Sequence, residues 1–175
     1  RKDVQEFERD LMTNLIALHR ELAAKKYSHS AYQHFKIADP KSRDIHKASV
    51  RDRLLHRALH RKLSPFFEKT FISDSNSCQD GKGTHRALNR FRKFIDIVSE
   101  NRTRTVWVLK CDIRKFFANI DQTILLEIVA KYIPDRNIIW LILSIVQSFR
   151  STAAGVGLPL GNLTSQLLVN IYMNE

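Results

Sequence analysis

Apolar residues return every three or four positions along much of this chain, a spacing that a helix turns into a single buried face. Over residues 3–26 the stripe is Phe7, Leu11, Leu15, Leu18 and Leu22. Over 50–63 it is Leu54, Leu55, Ala58, Leu59 and Leu63, stopped by Ser64-Pro65, since proline lacks the N–H that a further turn needs. Further helices are expected over about 84–99, from an N-cap at Asp121 with Ile120 placed to staple onto Leu125, over about 135–149, and from Leu163 to the end. Two segments depart from the pattern. Residues 32–44 hold Tyr32, Phe35 and Ile37 with Pro40, which suggests a short strand or hairpin. Residues 106–113 make the clearest strand: Trp107, Leu109, Cys111 and Ile113 would face one side, Val106, Val108, Lys110 and Asp112 the other. Its near-continuous apolar run points to a central, buried position, with Asp112 at its end. A carboxylate buried there needs a cation or a metal beside it.

Length and composition set the limits. With 43% hydrophobic residues, 175 residues can fill one core or two small lobes. Five glycines and four prolines leave no linker-like tract. The apolar stretch 138–146 is too short for a bilayer, and the first ten residues alternate charge without an apolar run, so neither a membrane span nor a signal peptide is expected. Arg1, in place of an initiator methionine, suggests a trimmed start. Two cysteines make no disulfide framework, which favours a reduced, cytoplasmic protein.

Charge narrows the partner. Residues 1–115 carry 26 Lys/Arg against 14 Asp/Glu, a net of +12, whereas residues 116–175 carry 3 against 4, a net of −1. A basic half beside a neutral, apolar half suits a polyanion, and nucleic acid is the commonest. Arg53, Arg57 and Arg61 recur at i, i+4 and i+8 and so share a helix face; their mutual repulsion would be offset by bound phosphates. The bland alternative is a solvated basic face with Asp52 as a local partner. The loop Gly81-Lys82-Gly83-Thr84 lacks P-loop spacing but can still offer Lys82 and backbone N–H groups to a phosphate. His56 and His60 have no third ligand at a sensible spacing, which argues against zinc.

Four segments, in order, carry a family likeness. They are Asp39-Pro40-Lys41-Ser42-Arg43-Asp44-Ile45; Asp52-Arg53-Leu54-Leu55-His56 with Pro65-Phe66-Phe67-Glu68; Lys110-Cys111-Asp112-Ile113-Arg114-Lys115-Phe116-Phe117; and Gly157-Leu158-Pro159-Leu160-Gly161-Asn162-Leu163-Thr164-Ser165-Gln166. Together they resemble the front of a reverse transcriptase. Leu160 and Gln166, where many group II intron and retroviral enzymes have Gln and Pro, are similar to the enzymes of diversity-generating retroelements, as is the stretch 78–88.

The resemblance implies an α+β, right-hand polymerase: an N-terminal helical extension (1–31), fingers (32–104), palm with the first catalytic motif (105–120), fingers or palm helices (121–155), and palm again (156–175), ending before an aromatic-x-Asp-Asp motif. It implies RNA-directed DNA synthesis with two Mg2+ ions, Mn2+ being an alternative, and inactivity of this stretch alone. Asp112 would be the catalytic carboxylate and metal ligand, with the backbone carbonyl of Ile113 as another oxygen. Lys41, Arg43, Phe117, Leu160 and Gly161 would meet the nucleotide, Phe117 as the steric gate against a ribose 2′-hydroxyl. Arg53, Arg57, Arg61, Lys82 and Gln166 would meet nucleic acid. Partners would be template RNA, an RNA–DNA duplex, deoxynucleoside triphosphates and a small accessory protein, with no membrane. Each residue has a plainer reading. Asp112 could pair with Lys110 or Lys115, the phenylalanines could be core, Lys41 and Arg43 could be surface charges, and Cys111 a small buried hydrophobe. Two rivals remain: a non-catalytic RNA-binding module on the same fold, and a group II intron or retron enzyme.

Overall fold

The computed structural model describes residues 2–38 and 41–175; Arg1, Asp39 and Pro40, with the expectations placed on them, lie outside the described residues. The elements are α1 (Lys2–Arg9), α2 (Leu11–Ala23), β1 (Gln33–Ala38), β2 (Ser42–Lys47), α3 (Val50–Phe67), α4 (Thr84–Val98), α5 (Phe116–Asn119), α6 (Gln122–Tyr132), α7 (Arg136–Gln147) and α8 (Leu163–Tyr172). The architecture is helix-rich α+β, as the sequence implied.

The core lies where α3, α6, α7 and α8 meet. Leu55, Leu59, Leu63 and Phe67 of α3 join Leu125 and Val129 of α6, Ile142, Ile145 and Val146 of α7, and Leu167, Leu168 and Ile171 of α8. Each such side chain contributes about 1.5–3 kcal/mol through its removal from water. Asp121 and Asp135 start α6 and α7 by accepting hydrogen bonds from the N–H groups two and three residues on, at 2.7–3.2 Å. The expected hairpin is present: β1 and β2 pair antiparallel, with Phe35 opposite Ile45 and His34 opposite His46.

Three expectations need correction. The helix expected over 3–26 is two helices, broken at Asp10, where the Asn14 amide reaches back to the Phe7 carbonyl at 2.9 Å. That side chain satisfies a carbonyl which an unbroken helix would have used. The helix expected to stop at Ser64-Pro65 runs on to Phe67, whose ring is 1% exposed. Burial of that ring offsets the one bond proline forfeits in a last turn.

The third correction matters most. Residues 106–113 are neither strand nor buried: Trp107 is 95% exposed, Leu109 88%, and Cys111, Asp112 and Ile113 are exposed too. A strand needs a hydrogen-bonded neighbour. Among the described residues the one sheet is the β1–β2 hairpin, and nothing pairs with this segment. The burial argument for a metal at Asp112 therefore falls, and so does the reading of Cys111 as a buried hydrophobe.

Asp52 does have an arginine partner, Arg51 at 3.5 Å, but it is not solvated. It is fully buried at the start of α3, where the Ser49 hydroxyl (2.7 Å), the Tyr27 hydroxyl (2.9 Å) and the Ser30 N–H (3.1 Å) all donate to its carboxylate. Burial alone would raise its pKa; the Ser49 and Tyr27 hydrogen bonds and the nearby His29 outweigh that and hold it below the ordinary value. Arg51 clamps the outside of this knot, pairing with Glu21 of α2 and the Ser28 carbonyl.

Candidate nucleotide cleft and nucleic-acid surface

The turn of residues 157–161 is the joint on which the cleft is built. Gly157 donates to the Ile120 carbonyl (2.8 Å) and Leu158 to the Phe117 carbonyl (2.7 Å), which ties the turn to α5. On its other side His46 donates to the Leu160 carbonyl (3.0 Å), and the Asn162 amide donates to the His46 carbonyl (2.8 Å), which ties it to β2. Both glycines are needed. At Gly157 a Cβ would stand 2.7 Å from the Ser151 side chain, and at Gly161, with φ +102°, it would stand 2.9 Å from Ile45. Behind the turn, the buried Gln122 amide nitrogen faces the carbonyls of Val146, Phe149 and Gly157 at 2.9–3.0 Å.

Between the hairpin, α5 and the loop after α7 opens a cleft of ≈ 490 Å³. Phe116, Phe117, Phe149, Leu158 and Leu160 give it an apolar wall. Arg43, Lys115 and Arg150 bring positive charge from three separate segments. Its one acid, Asp44, is already engaged: His34 hydrogen-bonds it at 2.9 Å, and this contact holds its pKa below the ordinary value. Burial pushes the His46 imidazole below its ordinary value, with His34 acting in the same direction, so His46 is neutral near pH 7. Cations over an apolar, partly aromatic wall suit a ligand that has both phosphates and a flat ring.

Three of the residues expected at the nucleotide, Arg43, Phe117 and Leu160, line this one cleft, and Gly161 supports it from behind. Lys41 is exposed just before β2 and does not line it. Asp112 and Ile113 lie outside it, on the exposed segment leading into Lys115. Of the arginine stripe, Arg53 is bound by Asp3 at 2.9 Å, while Arg57 and Arg61 are exposed. Lys82 lines a separate concavity beside α4, and Gln166 is half-buried in α8. Sequence reasoning missed Lys115 and Arg150. A signal for Arg150 did exist, since it is one of only three basic residues after position 115.

A two-magnesium centre is implied by the family likeness. Magnesium is held by hard oxygens, with few of them from protein. Asp112 offers one exposed carboxylate, and among the described residues no three His, Cys, Asp or Glu side chains gather as a metal shell. The residues present fit one ligand position of such a centre and do not form the centre by themselves. No helix among the described residues is long and apolar enough to cross a membrane.

Comparison with known proteins shows the family. The profile of the family described as reverse transcriptase (RNA-dependent DNA polymerase) matches residues 36–175. Protein YkfC of Escherichia coli K12 is 28% identical over 142 residues, 77% of this chain and 36% of that protein. The mitochondrial nuclear intron maturase 1 of Arabidopsis thaliana is 28% identical over 91 residues, 52% of this chain and 12% of its own length. The putative COX1/OXI3 intron 1 protein of Saccharomyces cerevisiae is 23% identical over 170 residues, 93% of this chain and 20% of its own. The chain thus spans about a third or less of the relatives it matches. With four fifths of its residues matched by the family profile, the chain belongs to the reverse transcriptase family.

Proposed function

We propose that the protein this chain belongs to is an RNA-directed DNA polymerase and that the cleft under the β1–β2 hairpin receives the incoming deoxynucleotide. The observation that carries this is the convergence of Arg43, Phe117 and Leu160 from three distant segments onto one cationic cleft with an apolar wall. Arg43, with Lys115 and Arg150, would hold the triphosphate, and Phe117 would close the space that a 2′-hydroxyl needs. Asp112 would give one carboxylate to a divalent ion whose other ligands come from outside these residues. The fingers and palm boundaries at residues 32, 105, 121 and 156 belong to the same proposal.

The test is primer extension on an RNA template by the whole protein. Asp112→Asn keeps the side chain's shape and removes its charge, and extension is expected to disappear while RNA binding stays within about twofold. An Asp112→Asn protein that extends at the normal rate refutes the assignment. Phe117→Ala should raise ribonucleotide incorporation relative to deoxyribonucleotide.

Within the family, Leu160 and Gln166 support the diversity-generating type. Those enzymes miscopy template adenines and work with a small accessory protein. The intron names of the Arabidopsis and yeast relatives favour an intron-encoded enzyme instead. Errors concentrated at template adenines, and reduced by Leu160→Gln, would decide for the first; an even error spectrum would decide for the second. Gln adds a donor and an acceptor where Leu has neither, and one hydrogen bond is worth about 1 kcal/mol, so the change in error rate should be about fivefold to tenfold.

A further inference from the structure

One carboxylate carries the polar contacts that hold α1 against β2 and α3. Asp3 accepts from Lys47, the last residue of β2, at 2.6 Å and from the Arg53 guanidinium of α3 at 2.9 Å, both on the same oxygen, Oδ2. Helix α1 brings little else to the contact. None of its side chains is buried, and Val4 and Phe7 are only half-buried. At Asp10 the chain leaves helical geometry, with φ −118° and ψ 39° and no side-chain cap, so α1 is joined to α2 through a break. The Asn14 amide bridges that break to the Phe7 carbonyl at 2.9 Å. The match to the family profile begins at residue 36, so α1 lies outside the matched stretch.

Arg53 is also the first arginine of the α3 stripe, whose other members, Arg57 and Arg61, are exposed. Asp3 therefore caps one end of a cationic row and leaves the rest open. To lysine and arginine a carboxylate and a phosphate offer the same thing, negatively charged oxygen acceptors. The Lys47 hydrogen bond, with the charges of Lys47 and Arg53, holds the Asp3 carboxyl below its ordinary value, so it is ionised at neutral pH. Two cations close enough to share one oxygen repel each other once that oxygen leaves. The position between them calls for an anion, and a phosphate can replace the carboxylate there. Partly exposed ion pairs are weak and screened by salt, so the exchange is open to a polyanion. We propose that α1 is an autoinhibitory strap: Asp3 fills the anion position between Lys47 and Arg53 in the free chain, and a nucleic-acid phosphate takes that position by swinging α1 away about Asp10. The strap rests on the nucleic-acid side of the function proposed above and is independent of catalysis.

The experiment uses the full chain and a labelled RNA–DNA hybrid of mixed sequence, with affinity measured at low salt. Asp3→Asn keeps the shape of the side chain and removes the anion, and it should tighten binding by about fivefold or more. The control Glu8→Gln removes the same charge from an exposed position of α1 and should change affinity by about twofold or less. In a Lys47→Ala/Arg53→Ala background, Asp3→Asn should gain no more than that control. Amide hydrogen exchange gives a second readout: in the parent, added hybrid should speed exchange in α1 while slowing it in α3. Equal gains for Asp3→Asn and Glu8→Gln, or slowed exchange in α1 on adding hybrid, would overturn the strap and leave nucleic-acid binding standing. No binding by parent or variants at low salt would overturn both. Primer extension plays no part in either readout, so an inactive polymerase that shows both effects would sink the polymerase reading and leave the strap in place.

Discussion

Asp52 and His56 lie one helical turn apart on α3 and show how single residues set the chain's stability. Asp52 accepts hydrogen bonds from Tyr27, Ser30, Ser49 and Arg51 in a dry setting, so Asp52→Ala would strand the Tyr27 hydroxyl and the Ser30 N–H. A loss of about 3 kcal/mol is expected in urea unfolding. His56 stands 3.2 Å from His29, and burial, helped by His29, pushes its pKa from 6.5 to about 4. The unfolded chain therefore takes up a proton that the fold refuses. Stability should fall as pH drops from 6.5 to about 4, by on the order of 3 kcal/mol. His56→Leu should flatten that stretch of the profile; an unchanged slope would show that another group titrates. Asp52 adds its own loss at lower pH, since its folded pKa is depressed below 3.8 and its contribution vanishes as pH falls through that folded value. None of this was legible in the sequence. Asp52 sits among arginines at i−1 and i+1, and only the fold brings Tyr27 and Ser30 to it across more than twenty residues.

At the scale of elements, what the sequence disclosed depended on how local the signal was. The starts of α6 and α7 could be read from Asp121 and Asp135, because a cap acts within three residues. The hairpin could be read as well, since β1 and β2 partner each other across a short turn. The segment 106–113 carries a stronger apolar pattern than either hairpin strand, yet it is not a strand, because its pairing partner would have to come from elsewhere. Its consequence can be measured. Trp107 should emit at a solvent-like wavelength and be quenched readily by iodide, whereas the half-buried Trp140 should resist. Trp107→Phe should remove the accessible fraction; a shielded Trp107 in the parent would mean that the segment has found a partner.

Across the whole molecule, the cleft depends on a turn that grips two bodies at once. The 157–161 turn is fastened to α5 through Phe117 and to β2 through His46, so it seats the hairpin on the helical core. Gly161→Ala would force a methyl to 2.9 Å from Ile45 at a φ that L-residues avoid. The expected result is a loss of about 1–3 kcal/mol and a weaker hold on nucleotide, seen as a raised KM with kcat less affected. A Gly161→Ala protein with unchanged stability and KM would show that the hairpin is seated by other contacts. The glycines of this turn could be picked out in the sequence, but what crowds Gly161 could not: Ile45 is distant in the chain, and only the fold brings it to where a Cβ would stand.

The two cysteines, both free and both exposed, fall at instructive places. Cys78 lies in the loop that Arg86 and Arg90 fold onto α4, and Cys111 is the residue before Asp112. With no other thiol in the chain, a donor and an acceptor dye can be attached to the natural sequence by maleimide chemistry. Energy transfer between them would then act as a ruler between the loop before α4 and the exposed segment at Asp112. It would report in real time whether an arriving strand draws the two together.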